Sequence, residues 1–288
     1  MSSFLGISGS ISSSFAPLID NQNILWVGKH GSDSNDGKTI EKAFLTFGAA
    51  LSASSAGIVV VCLDSGIYNE SIIVPENRSV YAPSATIQDS GGGYYNGVVE
   101  FTGDNSSVTF HSIISAQKTA VYKALTGNGG TNWLYADKIV QTGTVGVGVF
   151  NFDTGAVVAP AVILANVNSI FTERVGVGCD VIAGGHMHVK VGDLYLQANN
   201  AVGVGNYGTS SVVGRVDHIV QLGTLTGLIG VWHGAGGAGF INLNISTIDV
   251  GASNTAYNGS NGTINMFLNY LASGNIGASG ATINVTTP

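Results

Sequence analysis

The stretch GKHGSDSNDGKTIEKAFLTFGAAL, residues 28–51, sets two kinds of chemistry side by side. Its first half crowds Asp33, Asn35 and Asp36 among Gly28, Gly31 and Gly37, and its second half turns apolar. A metal loop, a phosphate loop and the entry to a fold are the three readings to separate. A calcium loop of the EF-hand kind needs a bidentate Glu at its twelfth position. Counted from Asp33, that position holds Phe44. A phosphate loop needs its glycines spaced around a Gly-Lys-Ser/Thr step between strand and helix, and these glycines are not. Turn chemistry remains, because Asp, Asn and Gly bend chains readily. Phe44, Phe47, Ala50 and Leu51 then fall on one face of a short helix, with Thr46 or a neighbour placed to cap it.

Beyond residue 55 the pattern changes period. SVTFHSIIS, LYADKIVQTG, LANVNSIFTE, VKVGDLYLQA, GRVDHIVQLG, LNISTIDVGA and MFLNYLASGN align as one repeated unit. Each centres on an aliphatic residue: Ile113, Ile139, Ile170, Leu194, Ile219, Ile248 and Leu271, at steps of 23–31 residues. A second signal trails several of them, in VGVGVFN (145–151), VGVGCDV (175–181), AVGVGNYG (201–208) and GLIGVWHG (227–234). Alternation with period two reads as strand, and strand pairs repeating at this interval fit a solenoid. Its bends explain the 42 glycines, since Gly turns without steric cost.

Composition narrows the function classes. Charged residues make up only 9% of the chain, and the net charge is −7 with ten Lys and Arg. Nucleic-acid binding draws on clustered cations and is not expected. No run approaches the roughly 18–20 apolar residues of a membrane helix, so no membrane partner is expected. Cys62 and Cys179 each lie among apolar residues and read as buried, inert thiols. The start of the chain has no basic region or long apolar core, and so is a poor signal peptide.

The N-terminal pattern also carries a resemblance. Val27, Gly31, Asp33, Asn35, Asp36 and Gly37, then Ala43, Phe44 and Thr46, then Gly66, Tyr68 and Glu70 resemble the entry of pectin-lyase-like right-handed parallel β-helix proteins. The likeness covers about residues 25–85, with periodicity alone beyond. With the periodicity it implies an all-β chain: a right-handed parallel β-helix solenoid (57–288), entered through a turn and capping helix (24–56); the Ser-rich, partly apolar start reads as an attachment arm (1–23). That superfamily includes polysaccharide lyases and hydrolases, and also phage and viral tailspike and structural proteins. Fold therefore does not decide activity.

The candidate sites are sparse. Two positions before the aliphatic anchors stand His111, Asp137, Asn168, Gly192, Asp217, Ser246 and Asn269, a polar ladder when stacked. Asp193 and Asp217, on successive coils, are the best acid pair for a catalytic role, but a structural ladder is the favoured reading. His186 and His188 point to one side of a strand, as a metal edge or a His ladder would; no metal or cofactor is expected. Tyr94, Tyr95, Trp133, Trp232 and His233 suit glycan stacking. Phe4, Leu5, Ile7, Ile11, Phe15, Leu18 and Ile19 give the arm its apolar side for particle attachment. The expectation is a non-enzymatic virion component of a phage, a head-decoration or tail fibre/spike protein assembled in the host cytoplasm. A homotrimer is implied by the resemblance, with other virion proteins as partners and host-surface polysaccharide as a further contact. A polysaccharide depolymerase and a carbohydrate-binding adhesin module are the alternatives. An exposed last coil would be an aggregation hazard, so self-association or docking is expected to cover it.

Overall fold

The computed structural model describes residues 23–89, 91, 93–124, 130–143, 146–153, 162–181, 186–207, 209–234, 239–259, 262–277 and 282–287. The arm residues Phe4 to Ile19 lie outside them. Parallel pairing throughout builds two sheets, of 12 and 9 strands, whose members alternate along the chain from Ser79 onward. The result is an all-β parallel solenoid of the right-handed type.

The aligned units stack in the order that the repeat predicts. Ile113 pairs with Ile139, then Ile170, Leu194, Ile219, Ile248 and Leu271 in unbroken register. The first six are fully buried and Leu271 packs partly buried against the same cluster. In the smaller sheet Ile72, Val99, Val121, Val149, Val177, Val204, Val231 and Tyr257 form the facing column. Both columns belong to one apolar core running from Leu25 to Leu268.

The VGVG signal has a packing cause. A Cβ built on Gly148, Gly176, Gly203 or Gly230 would sit 2.4–2.9 Å from the carbonyl oxygen of the next coil. It would also press on the anchors Ile170, Leu194, Ile219 and Ile248 in turn. At these four coils a residue without a side chain is what the close approach requires, while the same column holds Ala120 before them and Ala256 after them.

Alternation is not strict, which the sequence pattern does not predict. In the strand His186–Leu196, Met187, Val189 and Val191 are buried, then Leu194 and Leu196. Gly192 and Asp193 are therefore two successive residues turned away from the core. The same slip recurs at Asp137–Lys138, Asn168–Ser169, Asp217–His218 and Ser246–Thr247. This corner carries the polar ladder.

At the entry, the acids of residues 28–37 act as turn formers. Asp33 accepts the Leu45 and Thr46 N–H groups at 2.9 Å each, Asn35 donates to the Ala43 carbonyl, and Asp36 accepts from Lys38 N. Gly37 takes φ +67°, and a Cβ there would strike the Phe44 ring. The helix is shorter than the apolar spacing predicts. It runs Phe47–Ala53, with Thr46 as N-cap accepting from Ala49 N at 3.1 Å. Phe44 precedes it and bridges Val27 instead. Phe47, Ala50 and Leu51 are buried, and the Phe47 ring meets Tyr68 and Phe110 edge-on at 4.7 and 5.3 Å. Glu70 accepts the Phe47 and Gly48 N–H groups at the helix start. Burial still holds its carboxyl above the usual value, against those two bonds. Cys62 is buried and its thiol is pushed up to about 11, chiefly by that burial. Among the described residues no helix is long and apolar enough to cross a membrane.

Candidate functional site

Two outward surfaces carry what chemistry the solenoid displays. The first is the corner ladder. Asp137 is bonded by the His111 ring at 2.9 Å and by the Asn168 amide at 2.9 Å. Asp193 is bonded by the His218 ring at 2.7 Å, and the Tyr195 hydroxyl donates to its other oxygen at 3.2 Å. Arg215 donates to Asp217 from its own strand. Asp193 lies in register with His218, so the proposed acid pair is split between two different partners. The side chains of Asp193 and His218 are 41% and 48% exposed, where solvent screens such a pair heavily. An Asp–imidazole contact can orient a base, but acid catalysis on a glycoside needs two carboxyl groups facing one bond. Each carboxylate here faces a partner of its own.

The second surface is a flat flank of the larger sheet. Where inward residues alternate with outward ones, the outward positions stack in three columns. One runs Trp133, Leu164, His188, Val213, Asn242, Asn265 and Asn284. Beside it run Tyr135, Asn166, Lys190, Arg215, Asn244 and Phe267, and on the other side Val162, His186, Phe240 and Thr263, with Ser211 between His186 and Phe240 buried. Lys190 and Arg215 are the only Lys or Arg in these columns, and no carboxylate stands there. Toward the far end Asn284 donates to Asn265 at 2.8 Å, and Asn265 to Asn242 at 2.7 Å. With Asn244, Phe267 and Thr286 these amides line a shallow hollow of about 380 Å³. A smaller one of about 170 Å³ lies between Pro83, Tyr135 and Asp137. Across both hollows one titratable acid, Asp137, is exposed.

The predicted aromatics are scattered rather than gathered. Trp133 is half-buried on the flank. Trp232 is half-buried on the smaller sheet, its ring edge-on to Tyr207 at 4.6 Å. His233 is fully buried beside Asn206, so its ring does not face a glycan. Tyr94 and Tyr95 lie in the strand Gly93–Phe101, and their side chains fall outside the described residues, as does that of Cys179. His186 and His188 do share one side of their strand, where His186 contacts Ser211 Oγ. Burial, and then His186, lowers the His188 value. Among the described residues no group of three His, Cys, Asp or Glu is placed to hold a metal.

Sequence reasoning passed over the amide column. Its signal was the recurring Ile-Asn step at Ile241-Asn242, Ile264-Asn265 and Ile283-Asn284. The flank as a whole was missed because only Trp133, His186 and His188 among its members were singled out, each for a different role. Compared with known proteins, the chain matches no family model, no curated protein and no solved structure.

Proposed function

We propose that the chain is a non-enzymatic structural protein, a β-solenoid that associates side by side with its own copies, a trimer, within a phage virion. The observation that carries the assembly is the flank. Its outward columns hold Trp133, Tyr135, Leu164, Val213, Phe240 and Phe267, with Lys190 and Arg215 as the only formal charges. Aromatic and Arg-containing surfaces with few other charges are the composition of protein interfaces. Virion membership, as a head-decoration or tail fibre/spike component attached through the arm 1–23, is supported by the resemblance of the entry motif. In this reading the helix Phe47–Ala53 closes the N-terminal end of the apolar column. Association of flanks is tested by sedimentation of the full chain and of Leu164→Glu. The parent is expected to sediment as a trimer. The variant is expected to keep its β-sheet circular dichroism and to sediment as a monomer. A parent that is monomeric at all concentrations overturns the assembly.

One observation favours a second reading, a carbohydrate-binding surface. The Asn242–Asn265–Asn284 column offers amides in line beside the exposed Phe267 ring, the pairing of polar groups and aromatic face that sugars use.

A further inference from the structure

The smaller sheet turns one lysine into the solenoid. Its inward column runs Val74, Phe101, Lys123 in register, and Lys123 is 1% exposed. Across the interior, Asn132 is a polar member of a column that continues Ile163, Met187, Val212, Ile241 and Ile264, and it is 0% exposed. The two side chains meet: Lys123 Nζ donates to Asn132 Oδ1. Asp104 Oδ1 lies 3.0 Å from the same Nζ, its side chain 15% exposed. The Asn132 amide nitrogen donates to the Gly103 carbonyl at 2.9 Å. An amine, a primary amide and a carboxylate are thus held together away from water.

We propose that Lys123 and Asn132 form an intramolecular isopeptide bond, with Asp104 as the proton relay. Asp104 takes a proton from the Lys123 ammonium, and the freed Nζ lone pair attacks Asn132 Cγ, forming the new C–N bond. Asp104 gives that proton to Nδ2 and takes a second one from the attached Nζ; the Cγ–Nδ2 bond then breaks, and the departing ammonia takes the second proton from Asp104. One ammonium side chain and one primary amide become one secondary amide and one ammonium ion, with no change of oxidation state. The Gly103 carbonyl, already bonded to Nδ2, receives the departing nitrogen. Three features of the site favour the step. Burial pushes the Lys123 ammonium below its usual value, against the opposing pull of Asp104, which favours the nucleophilic amine. Neighbours fixed in sheet register hold the reacting groups together, and such proximity replaces a bimolecular encounter. The product also exchanges a buried charge for a neutral amide, lifting a desolvation cost.

The test is the intact mass of the purified full chain, followed by tandem mass spectrometry of its tryptic peptides. Expected are a mass below the sequence value by one ammonia, no cleavage after Lys123, and a single tryptic peptide, residues 119–138, that is lighter by one ammonia and gives no backbone fragments between Lys123 and Asn132 because the two are joined in a loop. Lys123→Ala is expected to restore the full mass of its own sequence. Full mass in the parent, with ordinary cleavage after Lys123, overturns the bond. A loss of ammonia that persists in Lys123→Ala belongs to another asparagine and overturns it equally. Asp104→Asn is expected to stay unlinked; a cross-linked variant overturns the relay assigned to Asp104.

Discussion

Asp89 shows how single residues in this chain are tied to pH. Its partner Lys118 is 7% exposed, with its ammonium held by Asp89 at 2.7 Å and Ser71 at 2.9 Å. The Lys118 and Ser71 bonds hold the Asp89 carboxyl down at about 2. An unfolded Asp titrates near ~3.9. A depressed carboxylate contributes stability that is fully present above the unfolded value and is lost as pH falls toward the folded one. Asp89 is therefore expected to produce a decline in stability between about pH 4 and pH 2. Urea unfolding followed across that range checks it. Asp89→Asn is expected to flatten this part of the profile and to cost on the order of 2 kcal/mol at neutral pH, because it strands a buried ammonium. An unchanged acid profile in the variant would assign the decline to other carboxylates.

The elements repeat, so a defect in one is expected to stay local. Each coil touches its neighbours and little else, as in other solenoids. Phe47 is the largest buried contact that the helix Phe47–Ala53 makes, against Tyr68 and Phe110. Phe47→Ala is expected to cost about 3–5 kcal/mol, the usual range for emptying a buried ring site. Hydrogen exchange should locate that loss, with faster exchange at Val59–Val61 and Val80 and none at Ile241 to Leu268. Uniform acceleration along the rod would show a single cooperative unit instead. These elements were legible to different degrees in the sequence. The anchors from Ile113 to Leu271 could be read because burial on one face imposes a period on hydrophobicity. Thr46 could be read because an N-cap is a local hydrogen bond. Lys123 and Asn132 could not, because a charged residue and an amide in alternating strands read as solvent-facing. Only the register across the interior shows that they turn inward and meet. The outward pairs at the corner were equally hidden: a phase slip arises from the bend of the coil, which leaves no residue type of its own. The ladder at 111, 137, 168 and 217 was legible by position, and Asp137 bonds its own ladder neighbours His111 and Asn168, but Arg215 and His218 as partners of Asp217 and Asp193 were not legible.

At the scale of the whole molecule, low charge decides what the rod can do with its surface. Ten Lys and Arg against 17 Asp and Glu leave few cations to hold a charged substrate. The carboxylates at the corner are shared out one to a partner, Asp137 to His111, Asp193 to His218 and Asp217 to Arg215. A glycosidase would need two of them to face one bond with complementary proton affinities. If the ladder is structural, its paired side chains lie exposed enough to contribute little, about 0–1 kcal/mol each. The double variant Asp193→Asn, Asp217→Asn is then expected to fold, to unfold within about 2 kcal/mol of the parent, and to assemble as the parent does. If the chain is the virion component proposed above, the double variant should also leave any clearing of host-surface polysaccharide by assembled particles unchanged, measured on polysaccharide-overlaid lawns. Loss of clearing with assembly intact would make these two carboxylates catalytic and the solenoid a depolymerase. Loss of assembly with folding intact would place the ladder, rather than the aromatic flank, in the contact between copies.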